Sequence, residues 1–209
     1  MENFDSEKEQ LEQIKSWLKE NGLSIVLGIV LGLGGVYGWR GWQSHKVDVA
    51  EEYSASLASA ELHLEKANYN QAAVEARQLL EDSEGTIYAD LSRLVLARAE
   101  VEQGKLGAAT EPLQAMVADK ESVFNTVARI RLAQIYIAQS KFDEAEQLIT
   151  QEADNAYAPV LEELRGDIEL GRGEYGAARA AYLNAISLAT ADADNKFLQM
   201  KIDAVPAAE

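Results

Sequence analysis

The chain has no cysteine, which excludes disulfides, thiolate metal sites and cysteine nucleophiles together. Their absence leaves reducing and oxidising compartments equally open. Histidine is nearly absent too, occurring only at 45 and 63, and neither has a second histidine or a thiol at ligand spacing. No metal is expected, and His63 reads as a satisfied, partly buried helical residue. No glycine-rich phosphate loop, serine elbow or dinucleotide fingerprint occurs. Neighbouring acids such as Glu162 and Glu163 arise by chance in so acidic a chain, with no pocket to raise one pKa. No catalytic residue, cofactor or enzymatic activity is therefore expected. Positive charge is scarce: 19 Lys and Arg stand against 35 Asp and Glu, a net charge of −16, of which residues from Gln43 onward carry −14. Such a surface repels phosphate backbones, so nucleic acid is excluded as a partner, while the acidity keeps the bulk of the chain soluble.

Charge is missing altogether from Asn21 to Trp39, the nineteen residues between Glu20 and Arg40. As a helix they rise roughly 28 Å, close to the ~30 Å hydrocarbon thickness of a bilayer. Trp17 and Trp39 lie roughly 33 Å apart on such a helix, with Tyr37 and Trp42 nearby, as interfacial aromatic anchors should. A cleaved signal peptide would open with a basic region and close on small residues. Here an acidic segment precedes the stretch and Trp39-Arg40-Gly41-Trp42 follows it. The reading is one retained membrane span over 21–42, preceded by an amphipathic segment over 1–20 with Phe4, Leu11, Ile14, Trp17 and Leu18 on its apolar face and Asp5 or Ser6 as a cap. Inside the span Gly28, Gly32 and Gly35 line one face, and Gly34, Gly38 and Gly41 another. Small residues at this spacing let helices approach closely in lipid, so a partner helix is expected there. Orientation is not fixed by charge: Lys8, Lys15 and Lys19 precede the span, and Arg40 and Lys46 follow it.

From residue 43 to 209 the pattern is helical throughout, and the fold class is all-α. Aligning the chain on Ala72, Ala109, Ala145 and Ala178 gives steps of 37, 36 and 33 residues. Twelve positions before each stands Ala60, Ala97, Ala133 or Gly166, and three before each stands Tyr69, Leu106, Phe142 or Tyr175. This resembles a tetratricopeptide array, a solenoid of helical hairpins with a period of about 34, in which the paired small residues sit where two helices cross closely. Hairpins are expected over 44–83, 86–119, 122–153 and 156–190, the first degraded, with Pro112 kinking a second helix. A last helix from about Asp194 to Val205 covers the open end of the stack. The repeat's usual inward positions project to Leu91, Leu94 and Arg98, then Val127, Ile130 and Gln134, then Val160, Glu163 and Asp167. They form a candidate partner-binding groove with an apolar strip and an acidic end. Several of its aliphatic residues serve equally well as hairpin core.

The whole chain resembles the YfgM family of bacterial ancillary SecYEG translocon subunits. The resemblance runs through the acidic start, the glycine-rich span entering Gly38-Trp39-Arg40 and then Trp42, Ser44 and His45, the Leu164-Arg165-Gly166 segment and the terminal Gln199-Met200-Lys201-Ile202. It implies a single-pass inner-membrane protein with a cytoplasmic amino terminus and periplasmic repeats. It also implies association with the SecYEG translocon and the periplasmic chaperone PpiD, and contact with unfolded secretory clients. Two other readings stay open: a scaffold or regulator of another envelope complex, in division or stress signalling, and an enzyme accessory with an unrecognised site.

Overall fold

The structure is a computed structural model that describes residues 3–151, 155–189 and 192–206, with the side chains of 3–9, 25, 155 and 192–194 outside the description. The expected hairpin ends at 153 and 190, and the side chains of Phe4, Asp5 and Ser6, therefore fall outside the described residues. The described residues are helical, without strands: α1 (Asn3–Glu65), α2 (Tyr69–Asp82), α3 (Ile87–Glu102), α4 (Leu106–Ala118), α5 (Asn125–Ala138), α6 (Phe142–Ile149), α7 (Ala158–Arg172), α8 (Tyr175–Leu188) and α9 (Asp192–Ala204), with a 3-10 turn at Asn155–Tyr157 before α7.

The chain divides into two compact units, 1–52 and 53–209. The division falls inside α1, ten residues beyond the expected edge at 42. Packing of the repeat unit begins only at Tyr53, whose hydroxyl donates to the Asp82 carbonyl at 2.5 Å and whose ring meets Tyr88 edge-on at 5.7 Å.

Unit 1 is a helix that exposes its apolar side chains all round. Leu23, Val26, Leu27, Val30, Leu33 and Val36 are each more than half exposed. Trp39 and Trp42 stack at 5.1 Å, with the Lys46 ammonium 3.9 Å above the Trp42 ring. Among the described residues no single helix is long and apolar enough to cross a membrane. Gln10–Ser24 and Val26–Glu65, bent by 44° at their join, pass that test together. Just before the join the Asn21 amide donates to the Trp17 carbonyl at 2.9 Å, and Gly22 and Ser24 follow it.

In unit 2 the pairs Ala60 with Ala72, Ala97 with Ala109, Ala133 with Ala145, and Gly166 with Ala178 fall on the two helices of successive hairpins and are buried. The second helices start at Tyr69, Leu106, Phe142 and Tyr175. Each hairpin turns in the same way. Ala67, Gly104, Ser140 and Gly173 take positive φ of 57°, 73°, 58° and 83°. The next amide in each case, at Asn68, Lys105, Lys141 and Glu174, reaches five residues back to a helix carbonyl at 2.8–2.9 Å, the Schellman closure. Pro112 is buried in α4, and the helix assignment runs through it without interruption.

The fourth hairpin departs from the others in using glycine at the crossing. Tyr182 is fully buried four residues after Ala178, where the other repeats place Ala76, Leu113 and Ile149. A Cβ at Gly166 would overlap the Tyr182 ring, so the larger partner is accommodated by the smaller residue opposite. Beyond α8, Leu198, Ile202 and Val205 of the last segment pack on Ala178, Tyr182 and Ala185.

Two outcomes follow for urea unfolding of the intact chain in detergent. Gly166→Ala overpacks the fourth hairpin and should destabilise it by about 1–3 kcal/mol, and shortening the opposing ring with Tyr182→Leu should relieve part of that loss. Ala67→Gly and Ser140→Gly remove a left-handed non-glycine residue and should each stabilise by about 0.5–1 kcal/mol, the left-handed penalty less the entropy of glycine in the unfolded chain. A loss of stability in either would show that the turn geometry is wrong.

Candidate functional site

The inward helices of hairpins 1 to 3 enclose an open groove of about 790 Å³. Its floor is aliphatic, from Leu64 at the end of α1 through Leu94 and Val101 of α3 to Val127, Ile135 and Ala138 of α5. Charged side chains ring it: Glu61 and Glu65 on α1, Arg98 and Glu102 one turn apart on α3, and Arg131 with Gln134 on α5. The apolar floor exists because α3 and α5 each bury one face in the hairpin core and leave part of a second face to line the groove.

Four of the nine expected groove residues meet here: Leu94, Arg98, Val127 and Gln134. The other five do not line it. Ile130 is 7 % exposed and belongs to the core, and Val160 packs partly buried against the same cluster. Both are inward in register but consumed by packing between successive hairpins. Leu91 is half-buried outside the groove. Glu163 and Asp167, expected as a free acidic end, are occupied by Lys201 of α9, whose ammonium lies 2.7 Å from Glu163 Oε1 and 2.7 Å from Asp167 Oδ1.

That fourth-hairpin cluster extends inward. The Tyr182 hydroxyl donates to Asp167 Oδ1 at 2.7 Å, and Lys201 also sits over the Tyr182 and Phe197 rings. Burial, the bond to Asp167 and the Glu163 charge push the Tyr182 phenol far above its ordinary pKa, so it stays protonated and donates at every physiological pH.

Glu61, Glu65, Glu102 and Arg131 were missed from sequence. The inward register had been projected only onto hairpins 2 to 4. Carried back to the first, one residue after Ala60, the same rule lands on Glu61. Glu65, Glu102 and Arg131 sit beside the register, and only coordinates place them on the rim. His63 lies outside the groove, its Nε2 3.3 Å from Glu75 Oε1. The Glu75 carboxyl is held below its ordinary value of 4.5, chiefly by a hydrogen bond from Gln71, with burial opposing and Ser59 and His63 assisting. Among the described residues no cluster of three His, Asp or Glu has metal-holding geometry. A Cβ added at Gly28, Gly32, Gly34, Gly35 or Gly38 would meet no atom within 4 Å.

Stacked helical hairpins around an open groove define a helical-repeat protein of the solenoid class. In agreement, residues 15–207 match the family model of the tetratricopeptide repeat-like domain. Three curated relatives each carry the name ancillary SecYEG translocon subunit. The protein of Escherichia coli (strain K12) is 29% identical over 97% of this chain and 98% of its own length. That of Aggregatibacter actinomycetemcomitans is 31% identical over 86% and 88%. That of Haemophilus influenzae (strain ATCC 51907 / DSM 11121 / KW20 / Rd) is 28% identical over 86% and 88%. The chain belongs to the tetratricopeptide repeat-like domain family and to the family of these ancillary translocon subunits. No solved structure gives a significant match.

Lys201→Met removes the cation shared by two partly buried carboxylates and should cost about 1–3 kcal/mol, since hydrogen bonds to charged groups are the stronger ones. Hydrogen exchange should quicken across 192–204 before the other helices respond; unchanged protection there would mean that α9 is held by its apolar contacts alone.

Proposed function

We propose that the chain is a non-catalytic ancillary subunit of a SecYEG-type translocon in the bacterial inner membrane. Residues 21–42 cross the bilayer, 1–20 lie on the cytoplasmic side, and 43–209 form the periplasmic repeat domain. The observation that carries this reading is the match over 97% of the chain to a relative named as such a subunit, which includes the apolar stretch as well as the repeats. Further support comes from unit 1, whose aliphatic side chains are exposed on every side and bracketed by Trp17 and Trp39, as lipid rather than water requires.

Two contacts divide the work. The glycine faces at Gly28, Gly32 and Gly35 and at Gly34 and Gly38 pack against a membrane helix of the translocon and hold the subunit beside the channel. Tethering then raises the local concentration of the repeat domain to the millimolar range, so a weak grip on the PpiD chaperone or on an emerging unfolded client suffices.

The absence of cysteine makes a direct test simple. Single cysteines at Glu12 and Lys120 should be blocked from opposite sides of the membrane by an impermeant maleimide, the second from the periplasm. Affinity capture from native membranes should recover SecY. Gly28→Leu with Gly32→Leu should lower that recovery several-fold without shifting the unfolding of the repeats. Capture of a different envelope complex without SecY would overturn the translocon assignment.

A further inference from the structure

The acid-rich repeat unit allocates its arginines unevenly. Of the eight between 53 and 209, Arg77, Arg93, Arg165 and Arg172 pair with carboxylates. Arg129 and Arg179 donate to the backbone carbonyls of Leu148 and Val205. The remaining two, Arg98 and Arg131, both line the groove. Arg98 makes no hydrogen bond or ion pair to any described residue, and Arg131 donates only to Gln134 at 3.1 Å. Neither comes within 4.0 Å of a described carboxylate, although Glu61, Glu65 and Glu102 border the same groove and acids outnumber cations nearly two to one.

The fourth hairpin shows how such a position is used when a helix lies against it. Asp167 occupies the register position of Arg98, one residue after the small crossing residue. There the amphipathic α9 presents Leu198, Ile202 and Val205 to the core and Lys201 to Asp167 and Glu163. At hairpin 2 the floor is as aliphatic but that position carries Arg98, and at hairpin 3 it carries the neutral Gln134 with Arg131 one turn before it. The counter-charge these arginines call for is an acid.

We infer that the groove over hairpins 1 to 3 takes one amphipathic helix of a partner protein, with aliphatic residues on the floor, an acidic side chain between Arg98 and Arg131, and a basic one facing Glu61 and Glu65. A helix laid this way has its carboxyl end at the arginines and its amino end at the glutamates, because the macrodipole then adds to both charge contacts. The inference deepens the reading of the repeat unit as a protein-binding module and rests on it. Charge at the rim selects the partner and its direction, while the aliphatic floor supplies sequence-tolerant burial.

The test uses the intact chain in detergent and two labelled peptides of about 15 residues, long enough to form helix on binding. Both are acetylated and amidated, with leucines at i, i+4 and i+7. One carries lysine near its amino end and glutamate near its carboxyl end, and its twin has the two charges exchanged. By fluorescence anisotropy at low salt the first should bind about tenfold or more tightly than the twin, with the preference fading in about 0.5 M salt. Arg98→Glu with Arg131→Glu leaves acids at both ends of the groove and should abolish the preference, and Arg98→Lys with Arg131→Lys should keep its sign. Equal binding of the twins by the wild-type chain, or an unchanged preference in the Glu variant, would overturn the inference. Capture of SecY by the wild-type chain is read separately. If SecY is lost from the wild type while the peptide preference holds, the translocon assignment fails and the groove assignment stands.

Discussion

Everything in the repeat unit depends on how closely two helices can cross within a hairpin. Helix axes approach to about 8 Å only where both surfaces carry small side chains. Here that condition is met four times by pairs spaced twelve residues apart, three of them alanine on alanine. Once the crossing is fixed, the larger apolar residues on either side are forced to interdigitate with the next hairpin, which is why Leu113, Met116, Leu132 and Ile149 fall into one continuous cluster. The fourth crossing shows that the constraint concerns summed volume rather than residue identity. Gly166 and Tyr182 fill the space that Ala133 and Ile149 fill one repeat earlier.

The spacing of these small residues made the hairpins legible before any coordinates. It carries long-range geometry in a strictly local pattern, and the residues three positions before each second alanine, Tyr69, Leu106, Phe142 and Tyr175, are where the second helices begin. Turn chemistry was half visible. Gly104 and Gly173 announce a left-handed residue, whereas Ala67 and Ser140 hold the same conformation with no such signal, because the packed helices on each side impose it. The groove was less legible than the fold. Register says which residues point inward but not how closely the next hairpin stacks. Ile130 and Val160 were thus absorbed into packing, while Arg131, off the register, reached the rim.

Electrostatics divides the array into two parts with different tasks. Near the carboxyl end the acids are spent internally: Glu163 and Asp167 on Lys201, and Asp143 and Glu146 on Arg172, which joins α6 to α7. The Lys201 pairs are part-buried and tie α9 to α7, while Arg172 reaches acids exposed on α6. In the groove over the first three hairpins neither sign is ion-paired to a described residue, on a surface otherwise crowded with carboxylates. Low internal compensation there is what a recognition surface needs, because charges already satisfied within a protein gain nothing from a ligand.

The pairing of α9 with the fourth hairpin also bears on how this architecture can change in length. A solenoid grows by inserting copies of its unit, and an inserted hairpin must offer its neighbours a compatible face. Lys201 recognises Glu163 and Asp167 on one hairpin, and Tyr182, seated over Gly166, completes that socket. No other repeat carries this combination. New units can therefore be spliced in upstream of α7, where the crossings are interchangeable alanine pairs. Growth past Val205 would first have to dismantle the terminal socket, so the array is open to elongation from one side and closed on the other.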